Sequence, residues 1–298
     1  MKRAAIAIGS NSTRMLVADA EGGVLRNLLR GREETRLFLG LDGEGNISPE
    51  KIESTAQAVA SLYRDALEWG AQSVDLFATS AARDAANGNA FAKRIKELTG
   101  LDLRIIPGEE EARLAFTAVS SGERRMVMDI GGGSTEWTLG ENNKVEWAVS
   151  MQIGASRLLK TQRFEGPEDA ARVQILCKEV MGFYARQLQQ LPPAPVLIGL
   201  GGTCSTAAAI TLGREAHGEE VEGIVVEKQA VIDQLIMLSS MTVEERRQVP
   251  GLPPSRAAHY PLGLCILISS MDLLGFQEFT VSGKTNMDGY LLNLSKED

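Results

Sequence analysis

The stretch Asp-Ile-Gly-Gly-Gly-Ser-Thr-Glu at residues 129–136 decides how this chain folds. It joins an apolar run at 125–130 to a second one at 135–139, and this pattern predicts two strands connected by a glycine turn. Glycines have no Cβ, so successive backbone N–H groups can converge on an anion, and a serine adds a hydroxyl donor. We therefore predict a phosphate-binding turn that consists of Gly131, Gly132, Gly133 and Ser134.

Two carboxylates flank this turn, with Asp129 before it and Glu136 after it. Carboxylates beside a phosphate need a cation between them, and their hard oxygen atoms suit Mg²⁺. The pattern thus predicts Asp129 and Glu136 as ligands of a magnesium ion. The alternative is a plain glycine hairpin with an acidic residue before it.

A weak internal repeat extends this argument to the start of the chain. When the sequence is shifted by 122 positions, the residue types at 8–9 and 12–13 match those at 130–131 and 134–135. Both copies continue with a third strand and then a helix. Self-similarity of this kind indicates a duplicated supersecondary unit, although two hairpins can also resemble each other by chance.

The repeat predicts a duplicated α/β fold whose two similar domains, residues 1–121 and 122–298, face each other across a cleft. The same shift places Ala7 at the position that Asp129 holds in the second copy. The first copy therefore has a methyl group where the second has a carboxylate.

Further anion ligands are predicted at the ends of other strands. The glycine turn at 9–12 would bind phosphate in the same way as the turn at 131–134. A helix that begins after the strand at 196–200 would point its N-terminus at a phosphate. Arg83 stands in the first turn of a predicted helix, where a cation opposes the helix dipole, so it can serve an anion instead. Alternatively, the two glycine segments are ordinary turns without a ligand, and Arg83 is an arginine exposed to solvent. The predicted phosphate ligands of the turn are Ser10, Asn11 and Ser12, and those at the helix start are Gly202 and Thr203.

Composition narrows the class of protein. The chain has 298 residues, 44% apolar and 23% charged, which fits a globular protein of about two domains. Its net charge of −8 argues against nucleic-acid and membrane-surface partners. Three dispersed cysteines and two histidines provide neither a disulfide framework nor a histidine-based metal site, so we expect a cytoplasmic protein. The apolar stretch at 261–276 is too short to span a membrane and predicts a buried helix.

Taken together, these motifs resemble the short form of the Ppx/GppA family of exopolyphosphatases and guanosine pentaphosphate phosphohydrolases. The resemblance covers nearly the full length and rests on five segments, at 5–12, 78–83, 108–113, 129–136 and 251–257. It implies the duplicated actin/Hsp70-like fold with RNase H-like domains. It also implies hydrolysis of phosphoanhydrides with Mg²⁺, polyphosphate or guanosine polyphosphate as the ligand, and a possible homodimer.

The resemblance also implies roles for individual residues. Glu111 matches the catalytic base of the family, although an acidic residue in a first helical turn is also an ordinary partner of the helix dipole. Asp129 and Glu136 match the metal-side and catalytic acids. Arg83 matches an arginine that faces the phosphates, and Arg256 matches one on the far wall of the cleft.

The chain departs from the family pattern at three places. The family usually has Asp where this chain has Ala7, Arg-Ala-Asp where 256–258 read Arg-Ala-Ala, and an arginine-rich segment at 282–289. These departures leave two main functions open. One is a hydrolase that releases terminal phosphate from polyphosphate or pppGpp with Mg²⁺. The other is a sensor that binds polyphosphate, (p)ppGpp or a nucleotide with little turnover. A third possible function is that of a kinase or ATPase of the same superfamily. The chain looks short for the insertions of those proteins, which argues against this function.

Overall fold

Two β-sheets organise the chain, and each lies at the centre of its own unit. The computed structural model describes residues 1–162, 164, 166–168, 170–188, 191 and 193–297. Unit 1 combines Met1–Ala118 with Thr285–Asp298, and unit 2 is Val119–Lys284.

Each unit begins with three consecutive strands, and helices and strands are mixed after them. The strands are β1 (Lys2–Ile8), β2 (Thr13–Glu21), β3 (Val24–Glu33), β4 (Ser73–Ala78), β5 (Arg104–Ile105), β6 (Arg125–Ile130), β7 (Thr135–Glu141), β8 (Lys144–Met151), β9 (Leu197–Leu200), β10 (Val225–Glu227) and β11 (Glu278–Val281). The helices are α1 (Pro49–Glu68), α2 (Ser80–Arg83), α3 (Gly88–Thr99), α4 (Gly108–Val119), α5 (Ala155–Gln162), α6 (Ala170–Leu188), α7 (Gly201–Leu212), α8 (Lys228–Ser239), α9 (Val243–Arg246), α10 (Tyr260–Leu274) and α11 (Asn286–Glu297).

The unit 1 sheet has the strand order β3-β2-β1-β4-β5. Strands β1, β4 and β5 are parallel, so their carboxyl ends meet at one edge of the sheet. Alternate residues of β1 face opposite sides. Ala4, Ile6 and Ile8 pack on a core with α1 and α3, whereas Ala5 and Ala7 pack on a second core with α4 and α11. Both faces of this sheet are therefore covered.

Local sequence signals explain where several helices begin and end. α1 starts after Ser48, whose Oγ accepts a hydrogen bond from the backbone N–H of Lys51 at 3.3 Å, and Pro49 occupies the first helical position. α3 ends at Gly100, whose left-handed backbone suits glycine. The buried helix predicted at 261–276 is confirmed as α10, which is buried over most of its length.

The unit 2 sheet has the strand order β10-β11-β9-β6-β7-β8. Strands β6, β9 and β11 are parallel, so here too three carboxyl ends meet at one edge. Met126, Met128 and Ile130 of β6 pack on a core that includes residues of α6, α7, α8 and α10. Across the described residues, no helix combines the length and apolar character needed to cross a membrane.

Strand register reproduces the internal repeat. Each residue pair of β1 and β2 from 3↔18 to 8↔13 recurs in β6 and β7 from 125↔140 to 130↔135, shifted by the predicted 122 positions. The order of neighbouring strands is repeated as well, because β9 and β11 extend the second sheet as β4 and β5 extend the first. The prediction of a duplicated α/β fold is thus confirmed.

Ser80 as a cap and Gly100 as an end predict a single helix between them, and this prediction is wrong in one respect, because the structure has two helices with a break at 84–87. At the break, the Asn87 side chain exchanges two hydrogen bonds with the backbone of Ile47, at 2.8 and 2.9 Å. This partner lies 40 residues earlier in the chain. No local pattern could indicate it. Two further elements, α5 and β10, were not predicted.

The division into units differs from the predicted domain boundary. Unit 2 begins at Val119, and the last segment, Thr285–Asp298, belongs to unit 1 rather than to the second domain. Helix α11 buries Met287 and Leu291 in the core that also contains Ala5 and Ala7. The pattern at 167–190 also predicts a helix, which corresponds to α6, and the last two residues of that range lie outside the described part of the chain.

Candidate active site

The first glycine turn lies at the carboxyl end of β1 and is held by backbone hydrogen bonds. Gly9 N donates to Ser12 O at 3.0 Å, which closes the turn. The carbonyl oxygens of Ser10 and Asn11 accept from Phe38 N and Arg36 N, both at 2.9 Å. The three predicted phosphate ligands of this turn therefore lie together in a fixed backbone. Both serines are buried, and the asparagine is half-buried.

Arg36 is a neighbour of this turn that sequence reasoning missed. Its backbone φ of 46° lies in the left-handed region, which a residue with a long side chain rarely adopts. Strained backbone of this kind concentrates at functional sites. Its guanidinium group is exposed and lies 3.4 Å from Glu34. No local motif indicates the residue, because only the hydrogen bond to Asn11 brings it to the turn.

Arg83 and Glu111 meet at the same edge of the unit 1 sheet. Arg83 Nη1 donates to Glu111 Oε2 at 2.8 Å and to the carbonyl oxygen of Ile106 at 3.0 Å. The side chains are only 15% and 9% exposed, so the pair is largely screened from water. The sequence indicated separate roles for these residues. In the structure the two residues form an ion pair, in which the arginine orients the carboxylate and balances its charge.

The two acids of unit 2 occupy directly opposite positions on β6 and β7. Asp129 pairs with Glu136 in the register, so both side chains project from the same face of the sheet. Glu136 is only 2% exposed, and its Oε1 accepts a hydrogen bond from Ser150 Oγ at 2.6 Å. Carboxylates at opposite positions repel each other, and a cation relieves that repulsion.

The donor set of unit 2 fits Mg²⁺. Within the described residues, no group of three or more His, Cys, Asp or Glu side chains could hold a metal. Asp129 and Glu136 would provide two carboxylates to such an ion and leave other positions for water and phosphate oxygens. Mg²⁺ commonly binds proteins in this way, through one or two carboxylates together with substrate phosphates.

The triple-glycine turn has a closure like that of the first turn, with Gly131 N donating to Ser134 O at 3.0 Å. Its carbonyl oxygens are held by the start of α5. Ser156 N donates to Gly132 O at 2.9 Å, and Arg157 Nε donates to Gly133 O at 2.7 Å. In a trans peptide the N–H points opposite to the C=O. The N–H groups that follow these carbonyls therefore point away from α5 and can serve an anion.

Helix α7 begins directly after β9, and a buried arginine lies at its first turn. Arg256 is only 8% exposed. Its Nη1 donates to Thr206 Oγ1 at 2.6 Å and also to the carbonyl oxygen of Gly202. The positive end of a helix and a guanidinium group both favour an anion. Three predicted ligands, Gly202, Thr203 and Arg256, are thereby brought into one region of unit 2.

Cys204 lies in this region but is unsuited to nucleophilic chemistry. The thiol is completely buried, and burial raises its pKa, with a further contribution from the Asp129 carboxylate. A thiol that stays protonated is a poor nucleophile. The residue is part of the hydrophobic core of unit 2.

Glycine turns at the strand ends of a duplicated sheet, with a carboxylate pair beside one of them, define a phosphate-handling protein of the actin-like fold. The chain belongs to the Ppx/GppA phosphatase family, whose model matches residues 16–297. Both the predicted family and the predicted two-domain fold are confirmed.

Solved structures of relatives resemble the whole chain. The Aquifex aeolicus member of the Ppx/GppA family is 27% identical, with a TM-score of 0.85, and the match covers 100% of this chain and 99% of that one. An exopolyphosphatase from Cytophaga hutchinsonii is 23% identical, with a TM-score of 0.91, and the match covers 100% and 98% of the two chains.

Proposed function

We propose that this protein is a phosphoanhydride hydrolase that uses Mg²⁺ to release the terminal phosphate of inorganic polyphosphate or of pppGpp. The observation that carries the proposal is the opposed pair Asp129 and Glu136 beside the triple-glycine turn. This arrangement combines an anion-binding backbone with ligands for a divalent cation. Family membership, which rests on a match over residues 16–297, supports the same reaction class.

In this proposal the triple-glycine turn binds the phosphoryl group. The N–H groups that follow Gly132 and Gly133 donate to its oxygens, and Arg256 adds positive charge at the start of α7. Asp129 and Glu136 would hold Mg²⁺, which neutralises charge on the phosphoryl oxygens when it is bound. Phosphoryl transfer requires little covalent chemistry from the protein, so positioning and electrostatic stabilisation account for most of the acceleration.

Glu111 is the general base of the proposed reaction. Its carboxylate accepts a proton from the attacking water, and the hydrogen bond from Arg83 at 2.8 Å fixes the orientation of the carboxylate. The Glu111 side chain is buried, so few competing waters reach its carboxylate. In this scheme Arg83 acts through Glu111 as a positioning residue.

A second candidate function rests on Ala7. The residue occupies the position equivalent to Asp129 and provides only a methyl group, buried in the core with α4 and α11. A protein with one carboxylate fewer can bind polyphosphate or (p)ppGpp and report it without useful turnover. This sensor function and the hydrolase share the same ligands and differ in catalysis.

The test is phosphate release from polyphosphate, pppGpp and ATP, with Mg²⁺ and with EDTA. The Glu111→Gln variant should lose about 10²- to 10⁴-fold in kcat while it still binds polyphosphate, because the amide cannot accept the proton. Glu110→Gln is the matched control, since Glu110 is the preceding acid and contacts Arg104 at the surface. Tight binding of polyphosphate without release by the native protein would establish the sensor. Release from ATP alone would indicate an ATPase.

A further inference from the structure

Two of the three cysteines lie on helices of unit 2 that pack against each other. Cys177 is on α6 and Cys265 is on α10. Ser269, one turn after Cys265 on the same face of α10, donates a hydrogen bond from its Oγ to the carbonyl oxygen of Cys177 at 2.8 Å. This bond places the face of α10 that carries Cys265 beside Cys177, although the two cysteines are 88 positions apart in the chain.

The thiols of Cys177 and Cys265 share a hydrogen bond. The structure describes all three cysteines of the chain, and each is a free thiol. Cysteines that lie far apart cannot be bridged without movement of the backbone, whereas thiols already in contact need little movement to form a disulfide. Side-chain contact and helix packing therefore both favour a bridge between these two cysteines.

The two thiols differ in reactivity. Cys177 is half-buried, and the hydrogen bond with Cys265 lowers the pKa of its thiol. Asp272, two turns after Cys265 on α10, acts against the Cys177 thiolate, but Lys228 Nζ donates to Asp272 Oδ1 at 3.0 Å and balances that charge. Cys265 is completely buried, and the same hydrogen bond together with burial raises its pKa. The accessible thiol of lower pKa reacts with an oxidant first, and the protonated neighbour is suited to resolve the product.

We propose that Cys177 and Cys265 form an oxidation site of unit 2, at which a peroxide closes a disulfide between α6 and α10. With hydrogen peroxide, the sulfur of Cys177 forms a bond to oxygen, the O–O bond breaks, and the thiol proton leaves with hydroxide as water. The sulfur of Cys265 then attacks the resulting sulfenic acid. The S–S bond forms, the S–O bond breaks, and the Cys265 proton leaves with that hydroxide as a second water. The two sulfurs lose two electrons, and the peroxide gains them.

The disulfide would join α6 to a helix that packs closely against the start of α7. Gly263 lies two positions before Cys265, and a Cβ at residue 263 would lie 2.6 Å from Thr203 Oγ1. The oxidised protein would thus hold α10 in place beside a predicted phosphate ligand. No step of the oxidation involves phosphate, so the site is independent of the proposed function.

The test is peptide mapping of the native protein after treatment with hydrogen peroxide and alkylation of the remaining thiols with N-ethylmaleimide. Each cysteine has its own tryptic peptide, with Cys177 in 173–178 and Cys265 in 257–284. Mass spectrometry should find these two peptides joined, with a mass about 2 Da below their sum, and dithiothreitol should separate them. The urea midpoint of the oxidised protein should rise by about 1 M, because a bridge across a long loop restricts the unfolded chain.

Three variants test the assignment of roles. Cys177→Ser changes only a half-buried position and should abolish the bridge in a folded protein. Cys265→Ser should leave a sulfenic acid on Cys177, which dimedone labels. Cys204→Ala is the matched control, since its thiol lies elsewhere in the core, and it should form the bridge as the native protein does.

Several outcomes would overturn the site. These are separate peptides with both thiols still alkylated, oxidation of Cys177 to sulfinic acid without a bridge, and a disulfide between the Cys177 residues of two molecules. A lower urea midpoint of the bridged protein would also overturn it, because the bridge would then come from opened molecules rather than from the packed helices.

Discussion

Gly154 lies against the triple-glycine turn, and its replacement by alanine tests whether the position of that turn matters. A Cβ at residue 154 would lie 2.5 Å from the carbonyl oxygen of Gly132 and 2.7 Å from the carbonyl carbon of Gly133. These are backbone atoms, so no flexible side chain can move aside. The turn itself must move, or α5 must move away from it.

The size of the effect follows from the overlap. Ordinary contact begins at 3.4 Å, so a clash at 2.5 Å requires a displacement of about 0.9 Å. Overpacking of this kind typically costs about 1–3 kcal/mol of stability. A displacement of about 1 Å at a reacting group can lower the rate by about 10²-fold. We therefore expect Gly154→Ala to lower kcat/KM for polyphosphate by about 10²-fold, with a smaller effect on folding.

The assay combines phosphate-release kinetics with urea unfolding of the native protein and the variant. The control is Gly182→Ala in α6, where a Cβ would meet no atom within 4 Å. That change should leave activity intact and stabilise the helix by about 0.5–1 kcal/mol. Native kcat/KM in Gly154→Ala would refute the reasoning, because it would mean that the carbonyl contacts with α5 do not fix the turn for catalysis.

Three further outcomes are expected. Ala7→Asp should tighten Mg²⁺ binding and raise phosphate release by at least about 10-fold, because it restores a carboxylate at the position equivalent to Asp129; unchanged release together with weaker substrate binding would instead favour the sensor. Asp288→Ala should destabilise the protein by about 1–3 kcal/mol in urea unfolding, since it removes a bidentate pair with Arg30; an unchanged midpoint would argue against that contribution. A hydrogen bond with the buried Cys265 thiol lowers the pKa of Cys177. Iodoacetamide should therefore modify Cys177 before the two buried cysteines, and mass spectrometry measures the order of modification.

The sequence by itself determined the local features of the fold. A glycine run between two apolar segments of strand-like pattern favours a hairpin, since the permissive backbone and the hydrophobic pattern act over a few residues. The turn at 131–134, the repeat at 9–12, the cap at Ser48 and the buried helix α10 could all be predicted for this reason. The pairing of Asp129 with Glu136 follows as well, because a short hairpin turn fixes the register.

Only the tertiary structure decided which distant side chains meet. Arg83 and Glu111 are 28 positions apart, and Arg30 and Asp288 are 258 apart, yet each pair forms a direct hydrogen bond. No periodicity in the sequence encodes such contacts, because they depend on how strands order themselves within a sheet. The same reason explains the placement of the last helix. Its apolar residues, Met287 among them, match any buried surface equally well, and the sheet of unit 1 provides that surface.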